Sequence, residues 1–180
     1  MKMNEMIKSF PKQFFKQYDN LKNKKLDLEK FKDIRNIVIV GMGGSAISGD
    51  LVSSLVKNEV KIPIHVIRDY SVPLWTDNST LFIFSSYSGN TEETISCFNS
   101  ALSRSEMLLS ICTGGELQKL SIENNVEVFS LPIGYQPRAA LGLSMMTLFL
   151  ILNNLNLLKI EFVKDVLNGA STLDLFYDDF

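Results

Sequence analysis

The sequence is poor in the residues that build disulfide frameworks and metal centres. Its two cysteines, Cys97 and Cys112, lack framework spacing, and His65 is the single histidine, so neither a disulfide scaffold nor a His/Cys metal site is expected. A reduced compartment, the cytoplasm, fits that usage. Neither sign of charge dominates. With 18 Lys and Arg against 20 Asp and Glu, the formal net charge of -2 offers no polyelectrolyte attraction to nucleic acid or anionic lipid. Lys22-Asn23-Lys24-Lys25, the only dense basic run, reads as a solvated helix end. Long hydrophobic spans are missing as well. The longest, Leu141 to Leu152, is interrupted by Gly142, Ser144 and Thr147 and is too short to cross a bilayer, so it reads as a buried helix. Met1-Lys2-Met3-Asn4-Glu5 lacks the apolar core of a signal peptide. No repeat, low-complexity tract or linker divides the 180 residues, and one domain with a full core is expected.

What is present is an alternation of short apolar runs with helical patterns. Asn36 to Val40, Ile62 to Ile67, Leu81 to Ser85, Met107 to Cys112 and Val126 to Leu131 have strand length, and most are rich in Val, Ile, Leu and Phe. Ser45 to Lys57, Thr91 to Ser103 and Leu117 to Glu123 read as helices between them. A repeated βαβ order predicts a doubly wound parallel sheet with right-handed connections, an α/β fold. Ahead of it, Glu5 to Tyr18 predicts an amphipathic helix with Met6, Phe10, Phe14 and Tyr18 along one face and Pro11 as a kink point. Behind it, Arg138 to Leu152 predicts another helix, followed by a helical patch from Glu161 to Leu167 and an acidic tail.

Three turns carry chemistry. In Ser86-Tyr87-Ser88-Gly89-Asn90-Thr91-Glu92-Glu93-Thr94 an apolar strand runs into three hydroxyls and a glycine, and Asn90 with Glu93 fits a capping box. Such a turn presents hydroxyls and free helix N–H groups to an anion without a cation of its own; it also reads as a plain capped turn. In Gly41-Met42-Gly43-Gly44-Ser45-Ala46-Ile47-Ser48 backbone amides can approach an anion, with Ser45 or Ser48 adding a hydroxyl. Gly41, Gly43 and Ala46 also satisfy G-x-G-x-x-A, and Asp69 follows the second strand, so a dinucleotide site is a rival reading. Pro137 suits a first helical position and places Arg138 in the first turn, where a cation opposes the helix dipole and calls for an anionic neighbour, either a ligand or a carboxylate. Thr113-Gly114-Gly115-Glu116 reads as a turn with its own capping box.

Gly41-Met42-Gly43-Gly44-Ser45, Arg68-Asp69-Tyr70 with Pro73 and Trp75, Ser86 to Thr94, and Pro137-Arg138-Ala139-Ala140-Leu141, in this order, resemble the sugar isomerase (SIS) domain of bifunctional phosphoglucose/phosphomannose isomerases. The resemblance covers about residues 20 to 160. It implies a five-stranded parallel sheet of flavodoxin-like, SIS type at 20–160, an N-terminal helix at 1–19, and the start of a connecting helix with an acidic tail at 161–180. It implies an aldose-ketose isomerase that interconverts glucose 6-phosphate or mannose 6-phosphate with fructose 6-phosphate without metal or other cofactor. Gly43, Gly44, Ser45, Ser86, Ser88 and Thr91 would hold the substrate phosphate and Arg138 would stabilise the enediolate. A fork of permanently protonated donors suits that role. The partners it implies are a sugar 6-phosphate and a second copy in a homodimer, with no nucleic acid and no membrane.

In that family the general-base glutamate and the ring-opening histidine lie in a second domain, beyond anything matched here. His65 falls inside the second strand and is expected to pack on the sheet, and Glu92 and Glu93 are expected to compensate a helix dipole. The binding half is therefore expected here and the proton-transfer half outside. The rivals are a sugar-phosphate-sensing SIS module without turnover and a dinucleotide-binding Rossmann domain.

Overall fold

A computed structural model of the chain describes residues 3–177. The chain opens with α1 (Met3–Lys8) and α2 (Phe10–Leu21). Pro11 has no N–H to give to the preceding turn, and the expected continuous helix breaks at Ser9, whose hydroxyl donates to the Met6 carbonyl at 2.7 Å. Next come β1 (Asn36–Gly41), α3 (Gly43–Val56), β2 (Ile64–Ile67), β3 (Thr80–Ser86), α4 (Glu92–Ala101), β4 (Leu108–Cys112), α5 (Gly115–Glu123) and β5 (Glu127–Ser130). A 3-10 turn at Pro137–Ala139 then leads into α6 (Leu141–Asn154) and α7 (Ile160–Tyr177).

The five strands pair in parallel in the order β2-β1-β3-β4-β5. Alternation along each strand divides the core between two faces. Ile37, Ile39, Leu81, Ile83, Leu109 and Ile111 point toward α2, α3, α6 and α7, while Val38, Val40, Phe82 and Phe84 point toward α4 and α5. β3, the central strand, is buried at every residue. The sheet is therefore doubly wound, as expected. From β1 the chain goes outward to β2 and then back to β3, and the reversal of strand order opens a crevice at the carboxyl ends of β1 and β3.

Several elements differ from expectation. Arg138 lies in the 3-10 turn rather than in the long helix, which starts at Leu141. The helical patch from Glu161 to Leu167 extends to Tyr177. Gly169 lies on its open side, where an added Cβ would meet nothing within 4 Å, while Val163 and Ala170 pack into the core. The rest of the expected acidic tail, Asp178, Asp179 and Phe180, lies outside the described residues. β2 is an edge strand, and His65 on it is exposed rather than packed under a helix, with its ring 4.9 Å from that of Trp75. No helix among the described residues is long and apolar enough to cross a membrane.

Candidate functional site

At the carboxyl edge the β1–α3 loop carries bare backbone. Gly41, the last residue of β1, stands in register with Ser85 of β3, so the two loops of interest leave neighbouring strands. Met42 precedes α3 in extended conformation and no side chain caps the helix, leaving the first N–H groups of α3 uncovered. Ser45 is buried, and its hydroxyl has no hydrogen-bond partner among the described residues. Ser48, the other candidate hydroxyl of this loop, is fully buried and spends its proton on the Gly44 carbonyl at 2.9 Å, so it is not a ligand donor.

The β3–α4 loop is folded onto itself. The hydroxyls of Ser86 and Thr91 lie 2.8 Å apart, the Gly89 N–H donates to the Ser86 Oγ at 3.1 Å, and the Asn90 N–H donates to the Ser88 Oγ at 3.2 Å. Ser86 is buried, Thr91 half-buried and Ser88 exposed. The expected capping box does not form. Thr91 is the N-cap residue of α4 and makes no side-chain cap. Asn90 instead turns away, its Oδ1 accepting from the Glu116 N–H of α5 at 3.0 Å. Thr113, expected to cap α5, donates from its Oγ1 to the Tyr87 carbonyl at 2.7 Å. One loop thus caps the helix that belongs to the next.

Arg138 approaches from the third side. The Pro137–Ala139 turn rests on the glycine loop so closely that a Cβ on Gly44 would meet the Pro137 carbonyl oxygen at 2.9 Å and the Arg138 Cα at 3.3 Å. Arg138 is exposed, and among the described residues its side chain has no carboxylate partner. Tyr87, which sequence reasoning gave no role, joins this segment to the hydroxyl loop. Its phenol donates to the Pro132 carbonyl at 2.8 Å and accepts from the Tyr135 N–H at 3.0 Å. Burial pushes that phenol above its ordinary range, so it stays protonated as a donor.

The acids near the crevice have local work. Glu92 and Glu93 sit in the first turn of α4, where they complement its dipole. Tyr70 stands close to the first turn of α4, where the charge of Glu93, followed by smaller contributions that include Glu92, raises its pKa. Asp69 accepts from the Tyr70 N–H through Oδ1 at 2.6 Å, and Arg68 pairs with Asp50. A separate cleft of about 650 Å³ between the segment after β2 and the last turn of α4 is lined by Arg68, Asp69, Ser100 and Arg104 but by none of the three loops.

Two helix starts without a side-chain cap, the Ser45 hydroxyl, which has no partner among the described residues, and an ordered hydroxyl loop thus border the crevice, and the backbone that carries Arg138 rests on the glycine loop, an arrangement that can receive an anion. No family model matches the chain. A bifunctional phosphoglucose/phosphomannose isomerase of Caldicellulosiruptor bescii is 41% identical over 157 residues, which are 87% of this chain and 46% of that protein. Tagatose-6-phosphate ketose/aldose isomerase from Escherichia coli superposes with a TM-score of 0.72 at 17% identity, over 95% of this chain and 52% of that one. A hypothetical protein of Methanococcus jannaschii, for which a 3-hexulose-6-phosphate isomerase function has been inferred, superposes with a TM-score of 0.60 at 19% identity, over 91% of this chain and 97% of that one. The structural likenesses establish the SIS fold, and the chain spans about half the length of the curated relatives it matches. It is a sequence relative of the bifunctional phosphoglucose/phosphomannose isomerases, sharing with them a segment of about half their length.

Proposed function

We propose that the crevice binds a sugar 6-phosphate and that the chain is the sugar-phosphate-binding SIS domain of an aldose-ketose isomerase acting between glucose or mannose 6-phosphate and fructose 6-phosphate. The observation that carries the reading is Arg138, whose backbone is set against the glycine loop and whose guanidinium has no carboxylate partner among the described residues. The phosphate lies on Gly43, Gly44, Ser45, Ser86, Ser88 and Thr91, and Arg138 faces the oxyanion that develops as a proton moves between C1 and C2. Residues 20–160 form the binding unit, with α1 and α2 at one end of it and α7 at the other. Among the described residues Glu92 and Glu93 complement α4 and His65 stands exposed on β2, so none of the three is assigned as the general base.

Binding is tested by thermal denaturation with fructose 6-phosphate, glucose 6-phosphate and NAD. A ligand bound only by the folded chain adds about 2.7 kcal/mol at a hundredfold excess over its Kd. The sugar phosphates are expected to raise Tm and NAD is not; stabilisation by NAD alone replaces the reading with a dinucleotide site. Turnover is tested by coupled detection of glucose 6-phosphate. The chain alone is expected to run at least about a hundredfold slower than a complete enzyme, since acid–base groups contribute 10²–10⁴-fold. Robust turnover that Arg138→Ala abolishes would place the proton carrier within this chain.

The chain associates as a homodimer. Ile47, Leu51 and Leu55 are exposed at i, i+4 and i+8 on α3, and this ridge is its own complement about a two-fold axis through Leu51. The expected dimer is read by light scattering, and Leu51→Glu is expected to return it to monomer. A wild-type monomer at tens of micromolar, roughly the range a moderate interface holds, overturns it.

A further inference from the structure

The turn that carries Arg138 is held by a side chain 126 residues away in sequence. Gln13, on α2, is 1% exposed. Its Nε2 donates to the Ala139 carbonyl at 2.7 Å and to the Met6 carbonyl at 3.3 Å. Its Oε1 accepts from the N–H groups of Gly142 and Leu143 at 3.1 and 3.4 Å, which are opening donors of α6, a helix with no side-chain cap of its own. One carboxamide therefore grips both sides of the joint between the Arg138 turn and α6. On the other flank the Gln136 N–H donates to the Met6 Sδ at 3.3 Å. The residues before and after Pro137-Arg138 are thus both tied to the N-terminal helices. Gln17, one turn further along α2 and also buried, makes a comparable pair of bonds elsewhere, to the Ser130 carbonyl at 3.1 Å and the Thr147 Oγ1 at 2.9 Å.

An apolar side chain would fill the Gln13 site at less desolvation cost, so packing alone does not account for an amide there. The joint needs a donor and an acceptor in one rigid group, which glutamine provides at every pH and an ionised glutamate does not. We infer that Gln13 is a positioning residue for Arg138: it fixes the backbone from which the guanidinium reaches the crevice, and so sets the affinity for the sugar phosphate. This rests on the reading of Arg138 as ligand-facing.

Gln17→Met is the matched control, since it removes a neighbouring buried amide that does not touch the turn. Gln13→Met and Gln17→Met are expected to lower Tm alike, while only Gln13→Met weakens fructose 6-phosphate binding in calorimetry, by about tenfold, the scale of a lost buried hydrogen-bond pair. On the Arg138→Ala background Gln13→Met is expected to cost no further affinity. An equal loss in both glutamine variants, or a full additional loss on the Arg138→Ala background, overturns the inference. A second readout needs no sugar: the rate at which phenylglyoxal modifies Arg138, followed by mass spectrometry, is expected to change in Gln13→Met and not in Gln17→Met. Absence of sugar-phosphate binding in the wild type defeats the site reading, whereas an unchanged labelling rate defeats the role of Gln13. If Gln13→Met does not fold, Gln13→Leu, which also has neither the donor to Ala139 nor the acceptor for α6, is put through the same comparison against Gln17→Leu, and wild-type affinity and labelling in it overturn the inference.

Discussion

The glycine loop and the hydroxyl loop leave adjacent strands, yet they are built in opposite ways. The hydroxyl loop satisfies itself: Ser86, Ser88 and Thr91 bond within it, Asn90 caps α5, and Tyr87 ties it to the segment after β5. The glycine loop satisfies little. Its helix is uncapped, the Ser45 hydroxyl is free, and its cover is the Pro137–Ala139 turn, held in turn by α1 and α2. A loop that is already ordered costs little to fill, whereas the glycine loop and the Arg138 turn over it depend on distant elements. Substitutions at the buried positions of the hydroxyl loop should therefore register as stability, and substitutions around the glycine loop, or at the exposed Ser88, as binding.

The largest expected effect is Gly89→Ala. Gly89 has φ 71°, and a Cβ there would lie 1.8 Å from the Gly114 carbonyl oxygen, so backbone strain and a clash together should cost at least about 2 kcal/mol in urea denaturation. An unchanged unfolding midpoint would show that the hydroxyl loop and the turn between β4 and α5 do not brace each other. Ser86→Ala removes the partner of Thr91 and of the Gly89 N–H and should cost about 1 kcal/mol. Gly44→Ala should do the reverse. Its methyl presses on Pro137 and Arg138, and the expected result is a loss of sugar-phosphate affinity of about tenfold or more with a smaller change in Tm. If stability falls while affinity holds, the contrast between the loops is wrong. Ser88→Ala, at an exposed position, should leave Tm unchanged and weaken binding by a few-fold, roughly one hydrogen bond's worth.

The smallest effect is confined to alkaline pH. Burial, reinforced by the nearby Asp69, pushes the Cys97 thiol from 9.0 up to about 11. Between those values the unfolded chain has lost a proton that the folded chain keeps, so this contribution to stability is complete below pH 9 and fades as pH rises through 11. Thermal midpoints across that range should fall more steeply for the wild type than for Cys97→Ala. Parallel slopes would remove Cys97 from the account.

The sheet was legible because its strands are buried on both faces, which turns them into apolar runs that periodicity can find; β3 is the plainest case. The three loops were legible as motifs, since glycines and hydroxyls at a strand end have few other uses. Contacts between loops were not. Asn90 and Glu93 have capping spacing, yet Asn90 serves α5, and nothing local distinguishes the two outcomes. On α2 the buried face runs through Gln13, Phe14, Gln17 and Leu21, while Tyr18 is half-exposed. A polar residue inside an apolar stripe was the available signal, and it was hidden because an amide is scored as surface until its partners, more than a hundred residues away, are known.

The bond between Gln13 and Ala139 also has a consequence for the order in which the protein is made. During synthesis α2 emerges first, with Phe14 and Leu21 on a face whose partner in α6 is not yet translated. At 5–20 residues per second the wait is on the order of ten seconds. Through that interval the nascent chain carries an amphipathic helix with nothing to cover it, and the sheet can assemble strand by strand without it. The arginine turn gains its anchor only when α6 leaves the ribosome and docks backward onto α2, so a ribosome-bound intermediate would have its hydroxyl loop formed before its arginine is in place.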